Sequence, residues 1–275
     1  MKKIISFINQ KGGVGKTTMC FNLAFAMKEK GHRVLVIDLD PQANLTMLVA
    51  PQLSADHPSI LSLMINQNKD LKSLHRPYTV SDILIKGEID LLPSAQELSG
   101  FDLTFSLIRS PRQLVLKKCI EMLDLKNRYD YIFIDCPPTL GLLVINALCA
   151  SDGIIVPFRA DDFSKRGLEH LYEVLNDIED MSIVKVPEVL IHVPNMIDSR
   201  RKQENTDLNS IIEVIEKSKG EKTIGPKFSN KSLLIRSVSE KNSVFNYHSK
   251  DFEEIQNDFL KMARQVEEWN KSSQY

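Results

Sequence analysis

The run Gln10-Lys11-Gly12-Gly13-Val14-Gly15-Lys16-Thr17-Thr18 concentrates more chemistry than any other stretch of this 275-residue chain. Its residue types suit an anion carrying several phosphates. Glycines let backbone N–H groups close around such an anion without a Cβ in the way. Lys16 supplies a mobile positive charge for the outer phosphates, and Thr17 offers a hydroxyl to a magnesium ion. A cradle of this kind needs a strand before it and a helix after it. The apolar run 4–8 provides the strand, and residues 19–30, closed by Gly31, provide the helix. The helix start adds free N–H groups and the positive end of its dipole. Gly12, Gly13, Val14, Gly15, Lys16, Thr17 and Thr18 are therefore expected to bind the phosphates.

Two further apolar runs end on acids. Residues 33–38 read Arg-Val-Leu-Val-Ile-Asp and lead into Asp38-Leu39-Asp40-Pro41-Gln42. Residues 129–138 read Tyr-Asp-Tyr-Ile-Phe-Ile-Asp-Cys-Pro-Pro. Unbroken apolar runs fit parallel strands covered on both faces. In an open α/β sheet the chemistry gathers at the carboxyl ends of such strands. Asp38, Asp40 and Asp135 then fall beside the phosphate loop. Asp135, ending a Walker B strand, would accept a hydrogen bond from a magnesium-bound water or from Thr17. The two prolines after it restrict the loop that follows.

The elements that must position these residues alternate along the chain. Strands are expected at 82–85, 89–92, 153–157 and 189–195 besides those above. Helices are expected at 60–65, from Ser94 onward with Glu97 completing the cap, from Ser110-Pro111 to about 128, at 139–150, from a Ser164 cap to about 180, and at the tail. Residues 43–93 are the least legible. The pattern predicts an α/β fold, doubly wound, with a mainly parallel sheet flanked by helices, formed as one domain over 1–275. The tail helix, about 250–270, repeats Phe252, Ile255, Phe259, Met262, Ala263, Val266 and Trp269 at spacings of three and four, which suits docking on the core.

Composition narrows the classes. With 43% hydrophobic and 26% charged residues the chain reads as globular. A net charge of −1 means that any nucleic-acid contact must come from a local patch. Residues 195–250 offer one, with eleven Lys/Arg against seven acids. Cys20, Cys119, Cys136 and Cys149 form no C-x-x-C pair and no zinc spacing, so they are expected as buried thiols in a reducing cytosol. No run reaches the ~20 apolar residues of a membrane span. The lysines at the start precede a strand that enters the phosphate loop directly, so no signal peptide is expected there.

One departure from the ordinary pattern G-x-x-x-x-G-K-[ST] is informative. Position 10 is glutamine, and Lys11 follows it. The segment resembles the deviant Walker A motif of the ParA/MinD superfamily, K-G-G-x-G-K-[ST], and D-x-D-P-Q and the strand ending at Asp135 match that family in order. The resemblance covers nearly the whole chain and is closest to the short, Soj-like ParA partition ATPases. It implies ATP and Mg2+ as ligands. It implies that Lys11 reaches across a nucleotide-sandwich homodimer to the partner's phosphates, and that Lys11, Lys16 and Asp40 carry catalysis, with Asp40 orienting the attacking water. Thr17, Asp38 and Asp135 would serve the metal, the acids through water or, for Asp38, through the switch. Asn195, at the end of the last long strand, would read the adenine edge, although a turn asparagine fits that position equally.

For the ParA branch the resemblance implies nonspecific DNA binding through Arg200 and Arg201, with Lys231 and Arg236 as looser matches. It also implies hydrolysis stimulated by a ParB-like partner and a cytoplasmic, nucleoid-associated protein without a membrane partner. The tail from Asp251 carries six acids against three bases. That is unlike the basic membrane helix of the MinD branch. Three other readings share parts of the motif set: an ATPase positioning a non-DNA cargo, a metal-cluster reductase and a small-molecule kinase. The cysteine spacing argues against the second, and Lys11 with D-x-D-P-Q against the third.

Overall fold

Among the described residues, six apolar runs pair into one sheet: β1 (Lys3–Phe7), β2 (Val34–Asp38), β3 (Asp90–Leu92), β4 (Tyr131–Asp135), β5 (Gly153–Phe158) and β6 (Glu188–Pro194). The computed structural model describes residues 2–74, 77–106, 108–198, 200–229 and 232–272. The strand order is β3-β2-β4-β1-β5-β6, and every pairing is parallel. All residues of β1, β2, β4 and β5 are buried, which explains why their sequences lack a polar alternation.

The helices in chain order are α1 (Lys16–Glu29), α2 (Asn44–Val49), α3 (Ile60–Gln67), α4 (Val80–Ile83), α5 (Phe101–Thr104), α6 (Val115–Met122), α7 (Leu125–Arg128), α8 (Leu142–Ala150), α9 (Asp162–Met181), α10 (Lys202–Lys219), α11 (Ser232–Ser239) and α12 (Lys250–Ser272). Successive strand residues point to opposite faces. Ile4, Leu35, Ile37, Ile132 and Ile134 join one cluster with residues of α3, α6, α8, α9 and α10. Ile5, Phe7, Val36 and Phe133 join another with α1 and α12. The fold is therefore a doubly wound α/β sandwich. In α12, Phe252, Ile255, Phe259, Met262, Ala263 and Val266 are buried in this second cluster, and the helix packs against α1 and β6.

The register sets the functional end. Phe7 aligns with Asp135, and Asp38 aligns with Asp135 on the other side of β4. Three carboxyl strand ends thus stop at one level, and the loops leaving them share one crevice. The chain runs from β1 to β2 on one side and reaches β5 and β6 on the other. Such a reversal is where ligands settle in open α/β sheets.

Several local expectations change in the fold. Residues 82–85 do not form a strand. Thr79 and Asp82 build a capping box that starts α4 instead, and only Ile85 pairs, in an antiparallel bridge to Leu91. The helix expected from 110 to 128 is three pieces, with a 3-10 turn at Arg112–Leu114 and a break at Asp124, whose φ is 53°. Ser94 caps nothing; a 3-10 turn begins at Gln96, and the Ser94 hydroxyl goes to the Asp40 carbonyl. Ser164 is not the N-cap of α9. Asp161 is, and the Ser164 N–H and hydroxyl donate to its Oδ1. The α1 terminus is as expected: Gly31 adopts φ +87°, and its N–H reaches the Lys28 carbonyl.

Candidate nucleotide-binding site

The loop from Asn9 to Thr18 leaves β1 and enters α1 without a side-chain cap on that helix. Gly13 and Gly15 take positive φ, +70° and +95°. The amides of Gly12 to Thr18 have no protein acceptor among the described residues. A row of free N–H groups at a helix start is an anion site. The cavity in front of it measures about 530 Å³ and is lined by Gly12, Lys16, Thr17, Asp40, Met196 and Lys241 among others. A cavity of about 650 Å³ at the amino ends of β2, β3 and β4, around Arg33, Lys86 and Tyr129, holds none of the phosphate-loop residues.

Lys16 is almost fully buried, and its Nζ donates to the carbonyls of Asn9 at 3.0 Å and Lys11 at 3.2 Å. Burial lowers its pKa, and the charges of Asp135, Cys136 and Asp40 partly oppose that. Lys11 points elsewhere. Its Nζ pairs with Asp161 at the start of α9, near the ring of Phe163, and remains about one third exposed (32%). Burial pushes the Asp161 carboxyl up, but hydrogen bonds from Lys11 and Ser164 outweigh it, so its pKa ends lowered. Asn9 holds the loop's first limb: its Oδ1 accepts from Lys11 N, and its Nδ2 donates to the Pro157 carbonyl at the end of β5.

The acids divide by depth. Asp40 lines the cavity, and its Oδ1 accepts from Gln42 N at 3.0 Å. Asp38 stands behind it, with Oδ1 accepting from Asp40 N and Oδ2 from the N–H and hydroxyl of Thr46. Burial raises Asp38 to about 6, against the pull of the Thr46 and Asp40 hydrogen bonds. Asp135 is fully buried and accepts from Thr17 Oγ1 at 2.6 Å through Oδ2. Its pKa is pushed well up, first by burial and then by the charge of Asp38.

The arrangement fits a magnesium ion. Asp135 Oδ1 is buried without a hydrogen-bond partner among the described residues, beside a threonine hydroxyl that already faces it. Among those residues no three His, Cys, Asp or Glu side chains gather into a metal cluster. A magnesium ion here would use the Thr17 hydroxyl, phosphate oxygens and water, with Asp135 oriented behind the water.

Asn195 is buried with its amide on the phosphate loop. Its Nδ2 donates to the Val14 carbonyl at 2.8 Å, and its Oδ1 accepts from Met196 N. Arg200, Arg201 and Arg236 are exposed, and each is ion-paired: Arg200 with Asp198, Arg201 with Asp198 and Glu204, Arg236 with Glu240. Lys231 lies outside the described residues. All four cysteines are buried free thiols.

Sequence reasoning passed over Asn9, Asp161, Thr46 and Asn22, which build this site, and read Ser94 only as a helix cap. Asn22, inside α1, donates to the Thr18 carbonyl and accepts from Ser243 Oγ and Val244 N. It ties the phosphate helix to the segment that follows the cavity wall at Val238 and Lys241. An asparagine amid apolar helix residues was the one signal available for it.

Known proteins bear on this geometry. Residues 2–187 match the family model described as an AAA domain. The chain is 35% identical over 179 residues to the sporulation initiation inhibitor protein Soj of Bacillus subtilis, covering 65% of this chain and 67% of Soj. It is 30% identical over 179 residues to the chromosome partitioning protein ParA of Caulobacter vibrioides, covering 64% and 63%. Among solved structures it resembles apo McdA of Cyanothece at a TM-score of 0.79 and 21% identity, covering 97% of this chain and all of that one. That last likeness concerns the fold. Among the described residues no helix is long and apolar enough to cross a membrane.

Proposed function

The chain belongs to the ParA/MinD-type P-loop ATPases, and from that membership we propose that it is an ATPase of DNA partition. ATP with Mg2+ joins two copies into a sandwich dimer, the dimer binds DNA without sequence preference, and hydrolysis stimulated by a ParB-like partner releases it. The observation that carries this reading is the division of labour between the two lysines. Lys16 folds into its own loop, whereas Lys11 turns out of it to Asp161, a third exposed, on a partner it can exchange. A lysine so placed is free to serve a second copy's phosphates. The name and identity of the Caulobacter relative support the partition role.

The residues then act as follows. The amides of Gly12 to Thr18 hold the phosphates, and Lys16 exchanges two carbonyls for phosphate oxygens. Asp40, at the cavity wall, orients the attacking water and accepts its proton. Asp135 fixes the Thr17 hydroxyl. Asn195 holds the loop through the Val14 carbonyl, and this bond occupies the amide donor that the family resemblance assigns to the adenine edge. Thr17 and, through water, Asp38 and Asp135 would hold a magnesium ion, which would neutralise charge on the outer phosphates. Lys11 of one copy adds charge to the transferred phosphoryl group of the other. Arg200 and Arg201 exchange their carboxylate partners for DNA phosphates. Exposed ion pairs are weak, so that exchange is easy. Two weak patches on one rigid dimer bind together, which makes DNA affinity depend on nucleotide.

The test is binding to a random-sequence duplex with ATP, ADP or no nucleotide over a salt series, using wild type, Lys16→Ala and Arg200→Ala/Arg201→Ala. ATP-dependent, salt-sensitive binding that both variants lose is the expected result. Equal, salt-insensitive binding in all nucleotide states would overturn the proposal.

A further inference from the structure

The Asp40 loop is held from behind by a closed ring of hydrogen bonds. Asp38 Oδ1 accepts from Asp40 N at 3.0 Å. Asp38 Oδ2 accepts from Thr46 N and Thr46 Oγ1, both at 2.8 Å. Thr46 Oγ1 in turn accepts from Ser94 N at 3.0 Å, and Ser94 Oγ donates to the Asp40 carbonyl at 2.6 Å. Both the N–H and the C=O of Asp40 are therefore fixed, and each fixing group is buried. The Thr46 hydroxyl serves two bonds at once, giving its proton to Asp38 and taking one from the Ser94 amide.

A second observation shows that the turn needs such support. Ala43 adopts φ 54°, a left-handed conformation that non-glycine residues rarely take, while its N–H donates to the same Asp40 carbonyl. Backbone of that kind persists only where the surroundings over-determine it. Here the surroundings are Thr46 on one side and Ser94, from the far end of β3, on the other.

We propose that Thr46 and Ser94, acting through Asp38, are positioning residues that hold Asp40 at the geometry hydrolysis requires. Neither touches the nucleotide cavity through its own functional group. Their effect is to fix where the Asp40 carboxylate sits. A displacement of about 1 Å at such a group can cost a hundredfold in rate. The inference rests on the reading of Asp40 as the residue that orients water. It assigns a purpose to Ser94 and to the start of the segment 43–93 that the sequence left blank.

The experiment uses the full chain with Thr46→Val, Thr46→Ser and Ser94→Ala. Valine keeps the shape of threonine and removes both hydroxyl bonds. Steady-state ATP hydrolysis is measured together with amide hydrogen exchange in the nucleotide-free protein. For Thr46→Val the expected result is a kcat lowered about tenfold or more with KM within about twofold of wild type, a split that marks positioning rather than binding. Thr46→Ser restores kcat. Ser94→Ala, which removes only the bond to the Asp40 carbonyl, lowers kcat less and leaves KM unchanged. Exchange in Thr46→Val quickens over residues 39–46 and stays unchanged in α1. Wild-type kcat in Thr46→Val, or unaltered exchange over 39–46, would overturn the proposal. The exchange arm needs no hydrolysis, so a wild-type protein without ATPase activity would defeat the partition reading while this arm still decides the ring.

Discussion

Replacing Gly15 by alanine isolates how the phosphate loop is shaped. Gly15 sits at φ +95°, and a Cβ there would lie 2.4 Å from Asn195 Nδ2. Two costs follow. A left-handed backbone with a Cβ costs roughly 1–2 kcal/mol. The collision forces Asn195 away from the Val14 carbonyl, which its Nδ2 reaches at 2.8 Å. Leaving a buried polar group unpaired costs about 1–3 kcal/mol. The sum is about 2–5 kcal/mol, a large share of the roughly 5–15 kcal/mol that holds a typical domain folded. The two costs separate in a double-mutant cycle. In an Asn195→Ala background the collision partner is gone, and Gly15→Ala should cost only the backbone part. Urea unfolding of the four proteins without nucleotide gives the coupling, expected at about 1–3 kcal/mol. Additivity within about 0.5 kcal/mol would refute the reasoning, because it would mean that the loop and Asn195 do not meet.

Three further outcomes are expected. His192, buried in β6, meets Tyr172 OH at Nε2 and donates from Nδ1 to Thr223, whose own hydroxyl goes to Gly220 O; burial lowers its pKa to about 4, which keeps the ring neutral near pH 7. The unfolded chain binds this proton first, so stability should fall as pH drops from about 6.5 toward 4, by about 3 kcal/mol, and urea midpoints across that window should flatten in His192→Asn. Asp161→Asn keeps a residue able to cap α9 but releases Lys11. Stability should change by less than about 1 kcal/mol, and sedimentation with a nonhydrolysable ATP analogue should show equal or up to about fivefold tighter dimerisation. Asn22→Ala orphans the Val244 amide and loosens the segment beyond the cavity wall. It should lower stability by about 2–4 kcal/mol and weaken ATP binding, read by urea unfolding and calorimetry.

What the sequence disclosed follows the range of the interactions. The phosphate loop was legible because its parts are contiguous: strand, glycines, lysine, threonine and helix start within one short run. Asp38 and Asp135 were legible because each ends an apolar strand, and strand ends meet wherever a parallel sheet is in register. The helix at 80–83 was missed because four apolar-rich residues beside Gly87 suit a strand by composition, while the Thr79–Asp82 box decides otherwise. The remaining contacts join residues far apart in the chain. Lys11 and Asp161 are 150 positions apart, Asp40 and Ser94 are 54, and Asn22 and Ser243 are 221. No local pattern marks such pairs, because each partner is chosen by the topology and not by its neighbours.

These distant contacts share a physical logic. Among the described residues, the lysines and arginines assigned to the nucleotide or to DNA, and the Thr17 hydroxyl, already have a protein partner. Lys16 rests on two carbonyls, Lys11 on Asp161, Thr17 on Asp135, and Arg200 on Asp198. Unpartnered, a buried ammonium or hydroxyl would weaken the nucleotide-free fold. Partnered, it leaves that fold intact and turns ligand binding into an exchange of one hydrogen-bond acceptor for another. The exchanges differ in depth. Lys16 and Thr17 are enclosed and serve phosphates held inside one copy. Lys11, Arg200 and Arg201 stand outside, where a second copy or a duplex can approach. In the proposed cycle the inner groups would meet the phosphates, and the outer ones a partner copy and DNA.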